Sequence, residues 1–124
     1  MQTYDYRTPS DIVQDEGANR YSRDEDVLAS GSGIVVTGTV LGMVTASGKV
    51  APLAPAANDG TETAVGIILE TADATSADQD VVALKRRAQV VSQALVWPAG
   101  ITTGEKATAT AELESLGIIA RNGV

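Results

Sequence analysis

Beyond Tyr21 the chain carries a single aromatic ring, that of Trp97, and it contains no phenylalanine. That absence restricts the kind of interior it can build. A body packed from Val, Ile, Leu and Ala buries less area per side chain than one with rings. At about 25 cal/mol per Å² the gain over chain entropy is therefore thin. Association with further copies is a natural remedy, because it adds stabilisation that the isolated fold lacks. The 124 residues, 44% of them hydrophobic, fit one globular domain and leave no room for a second core.

Within such a body the clearest local instruction is Gly38–Leu53. Its first arm is rich in β-branched and aliphatic residues. Thr45-Ala46-Ser47-Gly48 then supplies small, turn-forming side chains, and Lys49 to Leu53 resumes an extended run in which Pro52 is restricted to an edge or a strand end. The pattern predicts a strand, a tight turn and a strand. Val27-Leu28-Ala29 and Ile34-Val35-Val36 flank a Ser30–Gly33 turn, and Pro52 to Gly60 reads as a loop closed by Asp59-Gly60. Ala64 to Leu69 reads as a strand in which Gly66 marks a bulge or a close backbone approach. Thr71 to Gln79 reads as a polar connection, and Asp80–Lys85 and Ala88–Ser92 as β segments interrupted or continued by Arg86-Arg87.

One helix is expected, at about 103–116. Thr102 and Glu105 have the spacing of a capping box, Glu105 to Leu116 are largely good helix formers, and Gly117 stands where a C′ glycine belongs. Ala109, Leu113 and Leu116 share a narrow face, which leaves Glu112 and Glu114 for solvent. Ile118-Ile119-Ala120 is a last strand. Short strands with turns every ten residues or so, and one late helix, indicate a small, mainly β α+β domain.

Residues 1–26 differ from the body, 27–124. They are polar and mixed in charge, end in Asp24-Glu25-Asp26, and hold apolar residues only in ones and twos such as Ile12-Val13. Such a segment is an arm that orders only against a partner surface. Composition leaves two readings open: a solubilising tail, or a docking arm whose Tyr4, Tyr6 and Tyr21 supply contact area at low entropic cost.

The charge of −7, with a sequence pI near 4.4, argues against a phosphate-bearing nucleic-acid partner. No cysteine means no disulfide or thiolate site. The first residues lack the apolar stretch of a signal peptide, and no run approaches a membrane span, so no secretion and no membrane partner are expected.

Motifs for chemistry fail on spacing. Gly42 to Lys49 resembles a phosphate-binding loop, but five residues separate Gly42 from Gly48 and Val50 stands where Ser or Thr is required. Gly31-Ser32-Gly33 lacks the third glycine of a dinucleotide fingerprint, with Val36 in its place. Paired acids at Asp15-Glu16, Asp24-Glu25-Asp26 and Asp78 with Asp80 read as a solvated acidic surface. Calcium at Asp73, Asp78 and Asp80 is a weaker alternative, since the spacing of an EF-hand is missing. With no histidine as base and no Gly-x-Ser-x-Gly elbow, no nucleophile is supported. Neither a catalytic nor a cofactor site is expected.

Lys85-Arg86-Arg87 is the one basic cluster. On an alternating strand Arg86 points opposite to its neighbours, so surface pairing with the acid excess is the main reading and pairing across a subunit interface the alternative. Trp97, followed by Pro98, is expected to anchor the core or a subunit contact.

The stretch "GTVLGMVTASGKVAPLAPAANDGTETAVGIIL", preceded by "NRYSRDEDVLASGSGIVV" and followed by "ALVWPAGIT", resembles the head decoration proteins of tailed bacteriophages, the family of the lambda capsid-stabilising protein D. The resemblance runs from about Tyr21 to Ile119. It implies a β-clip fold built on bent two-stranded ribbons, and a non-enzymatic structural protein made in the host cytoplasm. It further implies a homotrimer on the outer surface of the virion, bound to the major capsid protein and stabilising the lattice against internal DNA pressure. On this reading the arm docks, and Tyr4, Tyr6, Ile12, Val13, Tyr21 and Arg23 are the expected capsid contacts, while Trp97 and Pro98 anchor the trimer or the core. The arm is long and unusually acidic at its end, so its mode of contact need not match every relative. Two rivals stand beside this reading. One is a non-viral small β-domain that binds a carbohydrate or peptide; the other, weaker, is a metal-assisted hydrolase using the Asp-rich loops.

Overall fold

The computed structural model describes residues 12–16 and 22–121. The expected capsid contacts Tyr4, Tyr6 and Tyr21 lie outside the described residues. In chain order the elements are β1 (Val13–Glu16), β2 (Arg23–Leu28), β3 (Gly33–Val35), β4 (Val40–Met43), β5 (Val50–Pro52), β6 (Ala64–Ile68), β7 (Ala72–Ala74), β8 (Gln79–Leu84), β9 (Ala88–Val91), a 3-10 turn (Ser92–Ala94), α1 (Thr103–Ser115) and β10 (Ile118–Arg121). From β1 onward the described residues are mostly β with one late helix.

Strand alternation organises these elements. In β4, β6 and β8 successive side chains leave on opposite faces, and here both faces are apolar. Leu41, Ile68, Val81 and Ala83 meet Leu28, Val35, Val50 and Ala74 in one cluster. Their neighbours Val40, Ile67 and Leu84 turn the other way, onto Ile12, Val90, Leu113 and Ile118 in a second cluster. Thus the wall of a closed five-stranded barrel, β2-β5-β4-β6-β8, separates two hydrophobic clusters. The single core expected from length is corrected accordingly: sheet and helix cover the barrel's outer face with an apolar layer of their own. That outer layer is β1-β9-β10 together with α1, β9 pairing antiparallel with β1 and parallel with β10. The ribbon β3-β7 closes against the first cluster.

The expected hairpin is β4-β5, in the register Leu41↔Pro52, Gly42↔Ala51 and Met43↔Val50. Gly48 turns it at φ +73°, donating its N–H to the Val44 carbonyl at 2.8 Å, and Pro52 ends β5. Gly66 meets both readings offered for it. The β4–β6 register skips between Leu41 and Gly42, and a Cβ at Gly66 would stand 2.7 Å from the Leu84 carbonyl oxygen.

α1 has the capping box: Glu105 N–H donates to Thr102 Oγ1 at 3.1 Å, and Thr102 N–H donates to Glu105 Oε1 at 2.9 Å. Ala109 and Leu113 are buried as expected, but Leu116 is not; it follows the helix as its C-cap and is 38% exposed. Glu112 is half-buried, not free in solvent: its Oε1 accepts the Ala64 N–H at 3.0 Å and fastens α1 to β6.

Two further expectations are corrected. Arg23–Asp26, read as the end of the arm, form the first part of β2, which pairs with β8 over six positions from Arg23↔Leu84 to Leu28↔Gln79. Their acidity hid a strand whose partner carries the apolar side chains. Ile12, expected to find apolar surface only on another protein, is fully buried beside Gly38, where a Cβ would come within 2.9 Å of Ile12 Cδ1. The Thr71–Gln79 connection also contains β7, whose Ala72 and Ala74 pack on the barrel cluster.

Ile67 is fully buried and Ile34 is 45% exposed. Ile67→Ala should lower stability by about 2–5 kcal/mol in a denaturant titration, and Ile34→Ala by less than about 1 kcal/mol. Equal losses at the two positions would contradict the core assigned here.

Candidate functional site

β2 brings its acids beside the chain's basic cluster. β8 stops at Leu84, so the alternation expected to send Arg86 away from Lys85 does not operate. Both cations instead reach acids of one strand. Lys85 Nζ donates to Asp26 Oδ2 at 2.9 Å, and Arg86 grips Asp24 with two nitrogens, one of them at 3.2 Å from Oδ1. Surface pairing with the acid excess is therefore the role of these two. Arg86 holds the Asp24 carboxyl below its usual range, chiefly through the hydrogen bond.

Arg87 behaves differently. It takes a left-handed backbone conformation, φ +43°, and Ser22 Oγ donates to its carbonyl at 2.7 Å. Its N–H reaches the Leu116 carbonyl at 3.4 Å. The side chain is exposed, and the ion pairs formed among the described residues do not include it. Two exposed residues, Arg87 and Leu116, are thus joined through their backbones at the C-terminal end of α1.

At the hairpin turn, Lys49 Nζ meets Asp78 Oδ2 at 2.7 Å and Ser30 N–H donates to Asp78 Oδ1 at 2.8 Å. Lys49 and Ser30 together draw the Asp78 carboxyl below its ordinary value. Asp59 and Asp73 are lowered in the same way, by the hydroxyl and then the N–H of Thr61 and Thr75. These aspartates act as acceptors that organise turns. The calcium alternative at Asp73, Asp78 and Asp80 gains nothing from the geometry: no group of three metal-ligating side chains gathers among the described residues. The stretch that resembled a phosphate loop is β4 and its turn.

Trp97 is half-buried, packed against the outer cluster and lining a hollow of about 200 Å³ with Ile34, Val36, Pro52 and Pro98. It is placed by backbone pairing: Val96 N–H donates to the Gly38 carbonyl at 2.8 Å and Val40 N–H to the Val96 carbonyl at 3.1 Å. Val13 lies in β1 at the edge of the same cluster, and Arg23 opens β2. The predicted contacts are therefore not one patch: Ile12 serves the core, Val13 and Arg23 are in separate strands, and Trp97 with Pro98 flanks a third surface.

A larger groove, about 580 Å³, escaped sequence reasoning. Leu53, Pro55 and Ala109 line it with apolar surface, and Glu62, Glu105 and Glu112 contribute carboxylates. It forms where the 53–63 loop lies along α1 from Thr102 to Glu112, a juxtaposition of distant segments. The capping box at Thr102 and the 52–60 loop announced each wall, but not that the two meet. Among the described residues no helix is long and apolar enough to cross a membrane.

No curated protein matches the chain. The family model described as bacteriophage lambda head decoration protein D matches residues 2–118.

Asp24 contributes stability through a lowered folded-state pKa. That contribution is present above its unfolded value, near 3.8, and is lost as pH falls through the lower folded value. Asp24→Asn should therefore lower thermal stability at pH 6 and flatten the acid-side decline below about pH 4. A variant whose melting curve parallels the wild type through that window would contradict the linkage.

Proposed function

The chain belongs to the family of bacteriophage lambda head decoration protein D, and from that premise we propose that it cements a phage head. It seats as a homotrimer on the outer surface of the capsid, binds the major capsid protein, and holds the lattice against the pressure of packaged DNA. The match over residues 2–118 carries this reading. We read the short ribbons β4-β5 and β3-β7 as the β-clip of that family, and synthesis as taking place in the host cytoplasm.

The chemistry of the chain agrees with such a role. Among the described residues Asp24, Asp59, Asp73 and Asp78 are held below the ordinary carboxyl range by their hydrogen bonds, so each stays a charged acceptor at neutral pH and is not poised for proton transfer. The charge of −7 suits an exterior position better than contact with DNA. The hollow beside Trp97 offers apolar surface that a neighbour can cover. In the arm, Tyr4, Tyr6 and Tyr21 are the capsid contacts we propose, with Val13 and Arg23 where the arm meets the body; Ile12 is spent in the core. The segment ahead of β1 can add main-chain hydrogen bonds to a sheet edge of the capsid protein, with Pro9 outside the paired register.

Binding to the assembled lattice stabilises it by linkage. At a free concentration 100 times the dissociation constant, each independent site contributes about 2.7 kcal/mol. Undecorated heads mixed with the purified chain should acquire density at threefold positions in a micrograph reconstruction and withstand higher temperature before releasing DNA. Deleting residues 1–11, which leaves Ile12 and β1 intact, should reduce occupancy while the circular dichroism of the body is retained. Heads that neither bind the full chain nor gain heat resistance would overturn the proposal.

A further inference from the structure

Two surfaces along α1 fit one another. At the C-terminal end stands a knob, the exposed Arg87 and Leu116, whose backbones meet. From Thr102 to Glu112 runs the groove of about 580 Å³, with Leu53, Pro55 and Ala109 as apolar lining and Glu62, Glu105 and Glu112 as its acids. A cation beside an aliphatic side chain is the complement of carboxylates beside an apolar floor. We propose that the knob of one copy seats in the groove of the next, so that self-association runs head to tail through α1. This rests on the homotrimer of the preceding section and names its contact.

Three observations favour a second copy as the occupant. Lys85 and Arg86 are consumed by Asp26 and Asp24, whereas Arg87 is left facing outward on a chain whose own surface has carboxylates in excess. Arg87 holds φ +43°, a conformation a side chain rarely adopts and which glycine would take freely, so retaining Arg there is costly to the isolated fold. Finally, knob and groove are built from different residues, so a one-way contact between them is heterologous, and a heterologous contact closes into a ring when its rotation allows.

Glu62 is the groove acid least bound up in the fold. It is exposed and accepts only the Gly60 N–H, while Glu105 caps α1 and Glu112 fastens it to β6. The test is sedimentation of the full chain and of two charge reversals, Arg87→Glu and Glu62→Lys. Each reversal alone should raise the dissociation constant about thirtyfold. A chain carrying both reversals should recover association, since every junction of the ring then joins opposite charges again. Arg87→Gly adds a second readout: it should raise the melting temperature of the dissociated chain while weakening association, an opposition that a purely structural residue would not produce. A wild type that is monomeric with and without capsids would overturn the trimer and this contact together. Reversals that associate as tightly as the wild type, or a double reversal that fails to recover, would overturn this contact and leave the trimer standing.

Discussion

The structure depends on a barrel wall buried from both sides. β6 supplies Ile67 to one cluster and Ile68 to the other, and β8 does the same with Leu84 and Ala83. A strand with one wet face offers half its side chains to burial; here nearly all contribute, which is how a chain almost without rings gathers enough apolar contact. The arrangement binds the outer elements to the inner ones. α1, β9 and β10 have no core of their own and fold only by lying on Val40, Ile67 and Leu84. Polar ties fix the angle of approach, notably Glu112 to the Ala64 N–H at the start of β6.

Local chemistry was legible in the sequence wherever a residue acts on its near neighbours. The hairpin around Gly48, the capping box of Thr102 and Glu105, the Gly117 turn and the dual character of Gly66 all follow from spacing within a few residues. Long-range consequences were not. Asp24-Glu25-Asp26 look like the end of a tail because acidity argues against burial, yet a strand in a closed barrel needs only one apolar partner face and can wear charge outward. Ile12 looks isolated because the residues that bury it, Gly38 and the outer cluster, lie far along the chain. The same limit concealed the candidate surfaces. Lys85 and Arg86 could be assigned to acid pairing, but which acids, and that Arg87 stands apart, depended on where β8 ends.

Charge and fold also act at different ranges. The acid excess repels other copies, but in physiological salt that repulsion is screened within about 8 Å, so it governs approach more than contact. At contact, short-range groups decide. Asp24, Asp26 and Asp78 are neutralised within the chain by Arg86, Lys85 and Lys49, which removes three of the acids from the repulsive total where strands meet. Glu62, Glu105 and Glu112 line an apolar groove to which no Lys or Arg contributes. A surface that combines long-range repulsion with a few local openings for a cation favours one mode of docking and disfavours indiscriminate aggregation.

That division bears on why a protein of this kind is left with a strained Arg87 and an exposed Leu116. Relieving either would strengthen the isolated chain: glycine at 87 removes the left-handed conformation, and a polar residue at 116 removes exposed apolar surface. Both features make sense if the functional state is an assembly, because a contact made only there contributes to the assembled state and costs the free chain. Thin aliphatic packing points the same way. A monomer with a modest margin gains most, in proportion, from contacts supplied by its neighbours, so the economy of the interior and the exposure at the end of α1 are two sides of one design.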